Sequence, residues 1–229
     1  MSKFQSYLIH WKNFLALHGF AGLLAGQAAS LLFQSSWPAA PITGLIIGLL
    51  LACYRAFKAP GDLTDWQIAQ LRGVISPFDP DRIEPDSYDV LLGNQFTRVL
   101  PDGEEESWAA NETVILPGEC LLAHTQETFK FPKNLKGILQ GKSSWARLSL
   151  FVECAGLFDK GFEGTAVLEL YNASPHKILL KAGDRIAQMS FHRTLPATLP
   201  YGNKERESHY QGQTGARASW LTKKERIQN

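Results

Sequence analysis

The chain has 229 residues, 45% of them hydrophobic and 11% aromatic, which is enough to build a core and excludes an intrinsically disordered protein. Its 23 Lys and Arg against 22 Asp and Glu leave a net charge of +1, so no nucleic-acid partner is expected and any anion must be met locally. Three widely spaced cysteines, Cys53, Cys120 and Cys154, argue against a disulfide framework, suit a reducing compartment and read as small buried residues.

From residue 13 to residue 54 there is no Asp, Glu, Lys or Arg. Two apolar runs fill that span, "FLALHGFAGLLAGQAASLLF" and "WPAAPITGLIIGLLLACY", separated by the turn "QSS". A helix needs about 20 residues to cross a bilayer, so residues 14–54 are expected to form a helical hairpin that anchors the chain in a membrane. Lys3, Lys12, Arg55 and Lys58 flank the hairpin and put the rest of the chain on the cytoplasmic face. An interfacial helix or a soluble oligomerisation hairpin is the other reading, because His18, Gln27 and several Gly and Ala soften the first run. The linker "KAPGD" closes this first region, residues 1–60.

Residues 61–216 have a different texture. "LTDWQIAQLRGV" predicts a short amphipathic helix with Thr64 as N-cap and Gly73 as stop. After the turn-rich "PFDPDRIEPDS" come short β-type runs: "YDVLLG", "FTRVL", "TVILPG", "CLLAHTQETF", "GILQG", "LSLFVECA", "TAVLELYN", "HKILLKAGD" and "IAQMSFHRT". Runs repeating every ~8–12 residues with no long helical pattern between them predict a mainly β fold, an antiparallel sandwich or barrel. Residues 217–229 are a polar tail.

Three stretches carry chemistry. "VLELYN" puts Glu169 inside a β-type run, where an ionised carboxylate costs roughly several kcal/mol unless it is paired, protonated or wet. "GKSSWARLSL" gathers Lys142, Ser143, Ser144 and Arg147, an ammonium, two hydroxyls and a guanidinium that suit phosphate oxygens. It is not a P-loop, because Gly137 and Gly141 enclose three residues where that motif needs four. A solvated turn with one structural arginine is the alternative.

The third stretch is "ECAGLFDKGFEG", whose glycines admit a flat ligand and whose Asp159 can accept from a sugar hydroxyl, although Asp-x-Gly is also ordinary turn chemistry. Neither H-x-E nor P-C-x-x-C occurs, so the zinc ligand set of the nucleobase deaminases is missing. His124, His176 and His192 read as structural, and "DGEEES" as a solvated hairpin tip.

In order along the chain, "SYDVLLGN", "GKSSWARLSL", "AGLFDKGFEGTAVLELYN", "GDRIAQMSF" and "YQGQTG" resemble the motifs of the trimeric dCTP deaminase and dUTPase superfamily. The resemblance spans roughly residues 63–215. Glu169 in "LEL" matches the deaminase branch.

The resemblance implies a distorted jelly-roll β-barrel and a homotrimer with active sites between subunits. It implies metal-free hydrolytic deamination of dCTP to dUTP and ammonia, with Glu169 shuttling protons. Ser143 and Arg147 would orient the water and support the carboxylate, aided by the backbone around Cys154 and Ala155. Asp159 would meet the 3'-hydroxyl of the sugar, and Gln188 would lie near the phosphates. Lys142, Ser143 and Ser144 would face a triphosphate carrying Mg2+, with no zinc and no metal held by side chains. Tyr201, Gln211 and Gln213 would arrive with a closing C-terminal segment.

Lys142 stands where many members have Arg, and His209 where many have Lys. The alternatives are a bifunctional enzyme that continues to dUMP, a dUTP diphosphatase using Asp159, and a non-catalytic nucleotide sensor linked to a membrane.

Overall fold

The structure is a computed structural model that describes residues 16, 20–21, 23–24, 40–57, 60–100, 102–153 and 155–221. Residues 16, 20–21 and 23–24 are helical, and the helix α1 (Ala40–Phe57) follows, with Ile42, Ile46, Leu50 and Tyr54 exposed along it. Most of the expected membrane hairpin lies outside the described residues. The described part of it does not bear the expectation out. Among the described residues no helix is long and apolar enough to cross a membrane.

Beyond it, β1 (Gly61–Asp62) leads into α2 (Asp65–Ile68). Thr64 caps α2 as expected, its backbone N–H donating to the Gln67 side chain at 3.1 Å. The predicted helix is cut short, because Ile68 and Leu71 both turn into the core and the chain bends through a 3-10 turn, Leu71–Gly73, into β2 (Ile75–Ser76).

The strands that follow are β3 (Tyr88–Leu91), β4 (Gln95–Val99), β5 (Glu105–Ala109), β6 (Glu112–Ile115), β7 (Cys120–Lys130) and β8 (Leu135–Gly141). A one-turn helix, α3 (Ser143–Ala146), precedes β9 (Leu150–Glu153), β10 (Leu157–Phe158), β11 (Glu163–Asn172), β12 (Ile178–Lys181) and β13 (Arg185–Arg193).

Among the described residues these strands form two main antiparallel sheets. One runs β1-β13-β8-β10 with β3 also on β13; the other runs β5-β4-β7-β11-β9 with β2 also on β7. β12 pairs with β6 separately. Alternate residues of both sheets meet in one core, with Tyr88, Leu139, Met189 and Phe191 from the first against Phe96, Leu121, Phe129 and Leu168 from the second. Rings stitch the sheets together, Phe129 to Phe131 at 5.9 Å and Phe131 to Phe191 at 6.1 Å between centroids. The mainly β expectation holds, and "DGEEES" forms the β4–β5 hairpin with its end, where Glu106 meets Arg98.

Two buried charge clusters stand beside this core. Arg82 and Glu127 form an ion pair inside it, with the Glu127 carboxylate also accepting from the Leu91 N–H at 3.1 Å. Asp89, fully buried on β3, holds Lys142 and Arg185.

Of the three histidines expected to be structural, His124 and His192 make such contacts, while His176 is exposed and is engaged through its backbone. His124 donates from Nδ1 to the Thr125 carbonyl and accepts at Nε2 from the Gln95 N–H, which fixes the neutral form, and burial lowers its pKa. His192 bridges Asp62 and Ser190, tying β1 to β13. Cys53 and Cys120 are exposed and in no disulfide among the described residues, rather than buried, and Cys154 lies outside the described residues.

Candidate active site

Strand β11 answers why a glutamate interrupts an apolar run. Leu168 and Leu170 are fully buried, so the strand alternation turns Val167, Glu169 and Tyr171 to the opposite face. Glu169 is therefore not a core residue. The pairing of β11 with β7 shifts register between Thr165 and Val167, and Ala166 there donates to the Thr125 hydroxyl at 3.0 Å. Such a bulge re-aims the strand, and here it separates the part that docks the C-terminal segment from the part that carries Glu169.

Glu169 lies on the wall of a cavity of about 560 Å³, together with Ala155 and Asp159. Its walls are mostly apolar, with Phe158, Phe162, Tyr201 and Tyr210 contributing rings. Burial pushes the Glu169 carboxyl above its ordinary value of 4.5, and a hydrogen bond from its own backbone N–H offsets this only in part. Its Oε2 is buried with no hydrogen-bond partner among the described residues. A half-buried carboxylate with a free oxygen costs stability, and such groups concentrate where chemistry or a ligand needs them.

The C-terminal segment closes one side of the cavity. Gln213 is buried, its Nε2 donates to the Thr165 carbonyl at 2.8 Å, and its own carbonyl accepts from the Thr165 N–H at 3.0 Å. Gln211 accepts from the Glu163 N–H at 3.3 Å and donates to the Gly161 carbonyl at 3.1 Å. The Tyr201 hydroxyl accepts from the Tyr210 N–H at 3.0 Å.

The glycines of "DKGFEG" have a different role from the one expected. Gly164, at φ +147°, runs so close to Gln213 that a Cβ would lie 2.8 Å from its carbonyl oxygen. Gly161, at φ +91°, leaves the same room for Tyr201. They admit the chain's own C-terminal segment rather than a flat ligand.

A second group of predicted residues lies elsewhere. Ser143, Ser144 and Arg147 are exposed on and just after α3, and none of them lines the cavity. Gln188 sits on β13 opposite Gln140 and Asp89, in the other main sheet from Glu169. Lys142 is not free for a phosphate, because its ammonium holds Asp89 at 2.5 Å.

Within one chain Arg147 does not pair with Glu169 among the described residues, where an active site between subunits was expected. β9 sets Glu153 opposite Glu169 and Leu150 opposite Asn172, so the α3 turn that feeds β9 lies at the far end of that strand pair. Three residues of strand put it roughly 10 Å or more from Glu169 along the sheet. The residues that sequence reasoning missed are Asp89, which pairs with Lys142, Arg185, which shares that carboxylate, and Tyr210 and Arg217, which complete the cavity. Asp89 and Arg185 lie in the quoted motifs "SYDVLLGN" and "GDRIAQMSF", and an acid and a base on short strands are the only signal they give.

A family model described as dCTP deaminase-like matches residues 62–194, which hold Lys142, Ser143, Arg147, Asp159, Glu169 and Gln188. The dUMP-forming dCTP deaminase of Methanosphaerula palustris is 36% identical over 175 residues, covering 69% of this chain and 94% of the relative. That of Persephonella marina is 37% identical over 162 residues, covering 64% and 87%. The crystal structure of 2'-deoxycytidine 5'-triphosphate deaminase from Agrobacterium tumefaciens shares the fold, with a TM-score of 0.51 and 21% identity over 59% of this chain and 49% of that one. With the family model spanning more than half of its length and these relatives matched nearly end to end, the chain belongs to the dCTP deaminase-like family.

Proposed function

We propose that this protein removes the 4-amino group of dCTP by hydrolysis, in a catalytic domain of residues 61–216, with Glu169 as the proton carrier. The observation that carries this reading is the Glu169 carboxylate, half-buried on a cavity wall with one oxygen unpartnered and its pKa raised by burial. Water adds to C4 of the cytosine and the amine leaves as ammonia. One group must therefore take a proton from water and return protons to N3 and to the leaving nitrogen. A carboxyl moved toward neutrality serves in both directions.

The rings of Phe158, Phe162 and Tyr210 offer the base an apolar wall, and Asp159 on the same wall accepts from the 3'-hydroxyl. The backbone at Ala155 helps to hold the water, and Tyr201, Gln211 and Gln213 keep the C-terminal segment closed over the nucleotide.

Among the described residues no cation pairs with Glu169, and no anion pairs with the exposed Ser143–Arg147 turn. A cyclic homotrimer meets both needs by setting the α3 turn of one copy against the cavity of the next. Ser143 and Arg147 then orient the water and Glu169, and Ser144 and Gln188 face the triphosphate. Lys142 adds only the positive charge left over from Asp89. Among the described residues no cluster of three His, Cys, Asp or Glu could hold a metal ion. Mg2+ enters with the substrate, because that hard cation takes phosphate oxygens as ligands.

The test is to incubate the protein with dCTP and with dUTP and to follow ammonia and pyrophosphate separately. Ammonia from dCTP is expected, and Glu169→Gln should reduce it by about 10²–10⁴ while dCTP still binds. Pyrophosphate from dUTP without ammonia from dCTP would overturn the reading.

A second reading, that the reaction continues to dUMP and pyrophosphate, is favoured by the names of the Methanosphaerula and Persephonella relatives. Asp159, a second carboxylate in the same cavity, would then activate a water at the phosphate chain. Pyrophosphate released together with ammonia from dCTP alone would establish it.

A further inference from the structure

The charges on the cavity wall do not suit a triphosphate as they stand. Asp159 and Glu169 are both acidic, and the one basic side chain among the described lining residues is Arg217. Arg217 is exposed, and its guanidinium faces the Tyr210 ring with 5.8 Å from Cζ to the centroid. No ion pair or hydrogen bond engages that guanidinium among the described residues. Its five N–H donors are therefore unspent.

Arg217 is also held in place. Gln213 fixes the segment before it to β11. After it, Trp220 stacks on His209 at 3.7 Å between centroids and 12° between planes, and the Trp220 N–H donates to the Tyr210 hydroxyl at 3.4 Å. These two contacts close residues 209–220 into a loop, and Arg217 lies within it. His209, the other side chain of this loop that can carry positive charge, is engaged in the stack.

Resting on the nucleotide reading of the cavity, we propose that Arg217 is a binding residue for the polyphosphate chain of the substrate. The C-terminal segment thereby supplies, within the same chain, the cation that the wall otherwise lacks. A planar guanidinium can take two phosphate oxygens at once, which a lysine cannot, and the bound anion in turn pins the loop that carries it. The base and sugar are left to Glu169, Asp159 and the aromatic rings.

The test compares wild type, Arg217→Gln and Arg217→Lys in the full chain, with binding of inorganic triphosphate and of deoxycytidine read by calorimetry and dCTP turnover read as ammonia. Arg217→Gln should weaken triphosphate binding about tenfold, the scale of one lost charge-assisted contact. The KM for dCTP should rise by a similar factor, with a smaller change in kcat. Arg217→Lys should recover part of both, and deoxycytidine binding should stay at the wild-type value. Unchanged triphosphate binding in Arg217→Gln, or an equal loss for deoxycytidine, would overturn the proposal. Wild-type protein that releases no ammonia would sink the deaminase reading instead, while triphosphate binding would still decide the role of Arg217.

Discussion

The β11 cavity and the β3 cluster both carry a carboxylate out of bulk water, and they treat it in opposite ways. Asp89 on β3 is completely buried and held by Lys142 and Arg185, while nearby Glu127 is paired with Arg82. Glu169 on β11 is less deeply buried, yet one of its oxygens has no partner. Where the fold needs a charge it pairs it within the chain. Where the charge is left incomplete, the proposed function has the missing group supplied from outside, by substrate or by a second copy.

Several substitutions break or sharpen that contrast. The largest effect on stability is expected from Glu127→Ala, which leaves the Arg82 guanidinium buried and uncompensated at a cost of about 3–5 kcal/mol in denaturant unfolding. Asp89→Asn should cost less, about 1–3 kcal/mol, because Lys142 and Arg185 are partly exposed and can turn to water. Glu169→Gln should be nearly neutral in the same unfolding experiment. A loss there as large as that of Glu127→Ala would make Glu169 a structural residue.

The pH dependence reads the same difference through activity. On the proposed mechanism Glu169 is ionised when it takes a proton from water, and burial raises its pKa, so activity should be lost as pH falls through that raised value. The acid limb of kcat/KM should therefore lie above the ordinary 4.5 and be absent from the residual activity of Glu169→Gln. The smallest effect on activity is expected from Gly164→Ala, whose Cβ would press on Gln213. It should loosen the C-terminal segment and raise the KM for dCTP a few-fold, with a stability change of about 1–2 kcal/mol.

Much of this arrangement can be read from the residues themselves. The period-2 runs become strands, Thr64 caps its helix, and Glu169 and Asp159 reach one cavity. Other features depend on contacts distant in sequence. "VLELYN" looks uniformly buried until its neighbours show that one face is core and the other is covered by residues some forty to fifty positions later. Lys142 looks free until Asp89, 53 residues before it, is folded against it. Gly161 and Gly164 signal close approach, but the sequence does not say that the approaching backbone is the chain's own. Arg147 precedes the Leu150 end of β9 while Glu169 on β11 faces the Glu153 end, a separation that only the register reveals.

The measurement that bears most directly on the account is ammonia release from dCTP by trimers assembled from two inactive variants, Glu169→Gln and Arg147→Ala. Each alone should be nearly silent. If Glu169 of one copy works with Arg147 of the next, random mixing of equal amounts restores an intact pair at about one interface in four of a cyclic trimer, and up to about a quarter of wild-type activity returns. Mixed trimers that form but release no more ammonia than the separate variants would contradict the account.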